Sequence, residues 1–125
     1  MRHERHYTLE EASAAIGWVG DALARMREAR ERLSDEEARA ALSEAAPGNG
    51  GGKPGMVVSQ AFLALRDSLT ELQAGDIVLR DLDRGLVDFP SVRDGEEVYL
   101  CWEEGEAEIG YWHDLESGYG GRRPL

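Results

Sequence analysis

Between Leu86 and His113 the chain gathers its one cysteine, two of its three tryptophans, one of its three histidines and a dense set of carboxylates. The stretch reads Leu86-Val-Asp-Phe-Pro90 and, further on, Val98-Tyr-Leu-Cys-Trp-Glu-Glu-Gly-Glu-Ala-Glu-Ile-Gly-Tyr-Trp-His113. Three chemistries use these residue types. Two neighbouring carboxylates, Asp88 and Glu108, can divide one proton between them and work as acid and base in a concave, partly dry site; on an open face water and salt screen them. Cys101 can act as a nucleophile with His113 as its base, or be a small buried hydrophobe. Asp88, Glu106, Glu108 and His113 offer oxygen and nitrogen ligands suited to Zn, Mn or Fe, although acidic density more often describes a solvated surface. His3 and His6 join such a site only if the N-terminus folds back, and terminal histidines are usually mobile.

Which of these residues meet depends on strands. After Gly75 apolar residues recur with a period of two, which predicts strands over 76–81, 86–90, 97–103 and 106–114. Asp94-Gly95 and Glu104-Gly105 are suited to two-residue hairpin turns. The first turn sets Val87 opposite Trp102, Asp88 opposite Cys101 and Phe89 opposite Leu100. The second sets Val98 opposite Tyr111, Leu100 opposite Ile109, Cys101 opposite Glu108 and Trp102 opposite Ala107. Val87, Phe89, Val98, Leu100, Trp102, Ala107, Ile109 and Tyr111 then form the core face. Asp88, Cys101 and Glu108 form a row on the reverse, with Tyr99 and Trp112 nearby and His113 on the opposite side from Cys101. A bulge or longer loop at either turn moves the row.

The elements that cover this sheet are helical. Thr8-x-x-Glu11 is a capping box, and Leu9, Ile16 and Leu23 together with Ala12, Val19, Met26 and Leu33 form one apolar seam. A continuous helix from Thr8 to Leu33 would be about 37 Å long. Gly17 and Gly20 interrupt it, which points to a bend or a close helix contact. Ser34-Asp-Glu-Glu37 repeats the capping signature before Ala38, Ala41, Leu42 and Ala45, predicting a second helix or a kinked continuation. The stretch 47–55 breaks the period as a mobile connection, and Val58, Phe62, Leu65, Leu69 and Leu72 resume it up to Gly75. Gly50-Gly-Gly-Lys53 is no phosphate loop, because Pro54 stands where Ser or Thr is required and no strand precedes it.

Composition narrows the function classes. At 125 residues one domain is expected, and a formal net charge of -11 disfavours nucleic-acid phosphate as a partner. No apolar run is long enough to span a membrane, and the polar start lacks the apolar region of a signal peptide, so a cytoplasmic location is expected. A single cysteine excludes an intrachain disulfide and every multi-cysteine zinc pattern. Arg122 and Arg123 read as a surface tail, with closure over an acidic site as the alternative.

Gly85-Leu-Val-Asp-Phe-Pro90, Leu100-Cys-Trp102, Gly105-Glu106, Trp112-His113 and the ending Gly120-Gly-Arg-Arg-Pro-Leu125 resemble the bacterial family called domain of unknown function 2203. The resemblance is strongest from Gly75 onward and weaker through the helical segment. It implies a full-length bacterial protein of that arrangement and brings no activity, substrate or cofactor. The fold expected is α+β, a long helical hairpin or three-helix segment over 8–74 packed on a small antiparallel sheet over 76–116, with a tail over 117–125. The leading functional expectation is a structural or interaction protein that forms a homodimer through its N-terminal helices, where the seam exceeds what the sheet can cover. The alternative is a small enzyme or metal-binding protein that uses Asp88, Cys101, Glu106, Glu108 and His113.

Overall fold

The computed structural model describes residues 1–45 and 59–125. The glycine-rich stretch 47–55 and Val58 lie outside the described residues. Three helices, α1 (Leu9–Glu31), α2 (Asp35–Ala45) and α3 (Gln60–Ala74), precede five strands: β1 (Val78–Asp81), β2 (Leu86–Arg93), β3 (Glu96–Glu103), β4 (Tyr111–Asp114) and β5 (Arg123–Pro124). The strands form one antiparallel meander in chain order, covered on one face by the helices, as the α+β expectation requires. No helix among the described residues is long and apolar enough to cross a membrane.

Each helix begins where its capping residue satisfies amides that have no partner inside the helix. The Thr8 hydroxyl accepts from the Glu11 amide at 3.0 Å while the Glu11 carboxylate accepts from the Thr8 amide at 2.9 Å. Ser34 and Glu37 repeat the exchange, so α2 is a separate helix and not a continuation of α1. Ser59 caps α3 through the Phe62 amide at 3.1 Å. The seam of α1 is buried through Ala12, Ala15, Val19, Ala22, Leu23, Met26 and Ala29, whose small members let α3 approach, while Leu9 at one end of the seam is 45% exposed. Fully burying a side chain such as Leu23 or Leu65 contributes about 2 kcal/mol each. Gly17 and Gly20 sit inside an uninterrupted helix, and a Cβ at either would meet nothing within 4 Å, so no close contact requires them.

The hairpin between β2 and β3 has the expected register, with Val87 opposite Trp102, Asp88 opposite Cys101 and Phe89 opposite Leu100. Asp94 (φ 53°) and Gly95 (φ 80°) both take positive φ, the backbone that matches a two-residue turn to strand twist. The next connection departs from expectation. Glu104-Gly105 turns, but the chain crosses residues 104–110 before it pairs again, and Val98 stands opposite Asp114 instead of Tyr111. The offset is three residues, an odd number, so every β4 side chain changes face. His113 moves to the reverse face beside Tyr99, and Trp112 moves to the packed face opposite Leu100. Ala107 and Glu108 are exposed in the loop, Tyr111 is 38% exposed, and Ile109 alone of that segment reaches the core. The loop is held by the Trp102 indole, which donates to the Glu106 carbonyl at 3.1 Å, and by the Glu106 carboxylate, which accepts from the Glu103 amide at 2.7 Å.

The reverse face is also covered, by the N-terminal segment that precedes α1. Glu97 accepts from the amides of Arg2 (2.6 Å) and His3 (2.9 Å) and meets the His6 ring at 2.7 Å. Asp76 accepts from the amides of Glu4 and Arg5, and the His3 Nε2 lies 2.6 Å from the Tyr99 hydroxyl. Beyond the reach of β1 the Tyr7 amide donates to the Pro90 carbonyl at 2.7 Å, and the Tyr7 hydroxyl donates to the Gly75 carbonyl at 2.7 Å. His3 and His6 are therefore fixed in a strap, contrary to the expectation for terminal histidines. The other terminus is fixed as well, since β5 pairs with β4 where a free tail was expected.

Two outcomes test this account. Replacing Gly17 or Gly20 with alanine should raise stability to urea by about 1 kcal/mol per site, because alanine gains helix propensity and its methyl meets no neighbour; loss of stability would show a backbone requirement at these positions. Burial pushes the Glu97 pKa up, but the His3 amide, His6 and the Arg2 amide outweigh it and hold it down to about 2 from an ordinary 4.5. Its contribution is complete above about pH 4.5 and is lost as pH falls towards 2, because the unfolded chain binds the proton first. Amide hydrogen exchange of residues 2–7 should accelerate over that window in the wild type and be already fast at pH 7 in Glu97→Gln.

Candidate functional site

The odd offset of β4 assembles a site from three adjacent strands. Asp88 of β2, Cys101 of β3 and His113 of β4 each offer one ligand atom, and these atoms lie within 4.8 Å of one another. Each residue is about 1% exposed. His113 Nε2 is 3.0 Å from Asp88 Oδ1, and its Nδ1 is 2.7 Å from the Asp114 carbonyl. An acceptor on Nδ1 places a proton there in the neutral ring and leaves the Nε2 lone pair facing the cluster. Asp88 Oδ2 accepts from Arg80 Nε at 2.8 Å. Arg80 reaches it from β1, two residues after Val78, which stands opposite Asp88, so strand alternation puts both on the reverse face; the register of β1 shifts between Leu79 and Asp81.

Aromatic rings close the site on the strap side. The Tyr99 ring lies 5.5 Å from His113 and 5.4 Å from His3, and the Arg80 guanidinium sits 5.1 Å from its centroid. On the other side Arg122 stacks over Tyr111 at 4.0 Å and Tyr119 at 4.7 Å, with its Nη2 2.6 Å from Glu106. A cavity of about 450 Å³ opens beside the strap between His3, Asp76, Leu42, Leu69 and Leu79, and the three clustered side chains do not line it.

Burial and neighbouring charge set the protonation state. Burial raises the Asp88 pKa, but hydrogen bonds from His113 and Arg80 outweigh it and hold the carboxyl below its ordinary value. Burial lowers His113, and the hydrogen bonds to Asp88 and to the Asp114 carbonyl turn the net shift upward. The Cys101 thiol is pushed up to about 12, first by burial and then by the Asp88 charge, with Arg122 pulling the other way. At neutral pH Cys101 is a neutral thiol, which lacks the thiolate character of an activated nucleophile. Asp88 and His113 form a buried ion pair as the ring protonates.

Two of the three members of the expected row are thus retained. Asp88 and Cys101 are neighbours as the first hairpin requires, but Glu108 is exposed in the loop and His113 takes its place. His113 was expected on the opposite side from Cys101, and the three-residue offset corrects this. Glu106 is engaged by the Glu103 amide and Arg122 and stands outside the triad; Trp112 faces the helices. Arg122 closes over this face, whereas Arg123 stacks on Trp112 at 5.2 Å. Sequence reading missed Arg80, since a four-residue strand does not reveal its own pairing, and missed the strap, because Arg2-His-Glu-Arg-His6 has no apolar period.

No curated protein and no solved structure matches the chain. A family model does, described as an uncharacterized conserved protein (DUF2203) and matched over residues 5–125. That span includes Asp88, Cys101, His113, Arg80 and Arg122, and with nearly the whole chain matched, this protein belongs to the DUF2203 family.

Proposed function

We propose that this chain is a metal-binding protein in which Asp88, Cys101 and His113 hold one divalent transition-metal ion. The observation that carries the reading is the convergence of a carboxylate oxygen, a sulfur and an imidazole nitrogen within 4.8 Å, from three neighbouring strands and out of contact with water. His113 strengthens it, because Nδ1 is already committed to a backbone carbonyl and Nε2 is the nitrogen that faces the cluster. A mixed S, N, O donor set suits Zn²⁺ better than Mn²⁺ and disfavours Mg²⁺ or Ca²⁺, which take oxygen. A lone thiol ligand fits a reducing cytoplasm, the compartment we assign. Pairing of the helices with a second copy has less support, since α3 buries the seam of α1 and leaves Leu9 and Trp18 as its exposed large apolar side chains.

The freshly purified chain, analysed for elements and then stripped and titrated with Zn²⁺, should take up one equivalent. Cys101→Ser and His113→Ala should each lower affinity by at least about a hundredfold, while Glu108→Gln leaves it unchanged. Uptake must displace the Cys101 proton and, below the raised His113 pKa, a second one. Affinity should therefore rise about a hundredfold per pH unit in mildly acid solution and about tenfold per unit once His113 is neutral. Absence of stoichiometric uptake of Zn²⁺, Mn²⁺ or Fe²⁺ at neutral pH would overturn the proposal.

A further inference from the structure

We propose that Arg122 is a positioning residue of this site, whose Nε–H is the hydrogen-bond donor to the metal-bound sulfur of Cys101. The inference rests on the metal-binding reading and extends it from the ligands to what holds them. Ligating side chains are normally oriented by an outer partner. His113 has one in the Asp114 carbonyl, and Asp88 has one in Arg80 Nε. While protonated, Cys101 is itself the donor, towards Asp88, and among the described residues one buried side-chain donor lacks an acceptor: Arg122 Nε.

The placement fits the assignment. Arg122 immediately precedes β5, and its guanidinium lies 4.0 Å over the ring of Tyr111, the residue directly opposite Cys101 across the β3 and β4 pair. Glu106 at 2.6 Å holds Nη2, and the Tyr119 ring at 4.7 Å adds a second stack, so the side chain is only 10% exposed and has little freedom to turn Nε towards water. An unpaired buried donor loses its hydration with nothing to replace it. A neutral thiol is a poor acceptor and relieves little of that cost, whereas a metal-bound thiolate is a strong one. The Arg122 charge already opposes the effect of burial at Cys101, as a guanidinium near the sulfur must. Arg80 and Arg122 then serve the two anionic ligands in the same way, each through its Nε.

The test uses the full chain, stripped of metal and titrated with Co²⁺, whose sulfur-to-cobalt charge-transfer band reports the environment of the thiolate. Wild type should show the band, and Cys101→Ser should not. In Arg122→Lys and Arg122→Met the band should move to lower energy and Co²⁺ affinity should fall by about ten- to a hundredfold; Arg123→Lys should match wild type in both. Lysine keeps the charge and lacks the planar Nε–H, so restoration of the wild-type band by Arg122→Lys would reduce the residue's role to charge alone and overturn the inference. Wild-type band and affinity in both Arg122 variants would overturn it while leaving the metal site intact. A wild-type chain that gives no band and takes up no Co²⁺ would end the metal reading and this inference together. Thermal melting of each variant guards against misfolding, and if Arg122→Met fails to fold, Arg122→Lys decides.

Discussion

The carboxylate of Asp88 lies in the middle of the sheet, out of contact with water, and a charge there is tolerated only when other groups replace its hydration. Most of the reverse face can be understood as the means of doing so. One oxygen is met by Arg80, which β1 presents on the same face; the other is met by His113, which requires β4 to pair three residues out of step with a two-residue turn. Without the offset, Asp88 would lose one of its two partners, and breaking a buried ion pair costs about 3–5 kcal/mol. That is a large share of the marginal stability of a chain this size. The odd register of β4 is thus tied to a particular charge.

The strap follows from the same constraint. A polar cluster on an open sheet face would be screened by water, and covering it requires a segment whose own backbone amides find acceptors. Glu97 and Asp76 supply these, each accepting from two successive amides of residues 2–5, and Pro90 presents its carbonyl where β1 has ended. A proline in the middle of β2 has no N–H to donate to a ladder, so it suits a position where the sheet partner gives way to an irregular segment. Both faces of β2 are therefore buried, which accounts for the unbroken burial of Leu86 through Ser91. The helical layer covers one face through apolar area; the strap covers the other through hydrogen bonds.

How much of this was legible in the sequence depended on the range of the interactions involved. Thr8 with Glu11, and Ser34 with Glu37, are local devices and mark the helix starts correctly. Asp94-Gly95 encodes its own backbone, and with it the contact between Asp88 and Cys101. Glu104-Gly105 also turns, yet the register beyond it is set by distant packing: Ile109 fills the core, Trp102 binds the Glu106 carbonyl, and Trp112 must lie under the helices. The side chains did contain a clue. Under a two-residue turn the apolar Trp112 would face the wet side and His113 the packed one; an odd offset exchanges them and puts each in chemistry that suits it. The strap and Arg80 had no such signature, since charged residues without a period read as solvated surface.

Family membership leaves the chemistry open, and the charge of the site supports the same reading as its geometry. In the metal-free state below the raised His113 pKa, Asp88 is negative, His113 is positive and Cys101 is a neutral thiol, so the three side chains carry no net charge. In the proposed bound state a divalent ion would be balanced by the Asp88 carboxylate and the Cys101 thiolate, with His113 neutral, and the total is again zero. Arg80 stays with Asp88 in both. Exchange of two protons for one ion therefore buries no additional net charge, which is the term that would otherwise dominate in a site this dry. The ion pair also explains how the fold can hold these side chains together without a metal: when His113 is protonated, its Nε2 and Asp88 Oδ1, 3.0 Å apart, are drawn to each other, and in the proposed bound state they would part only enough to admit the ion.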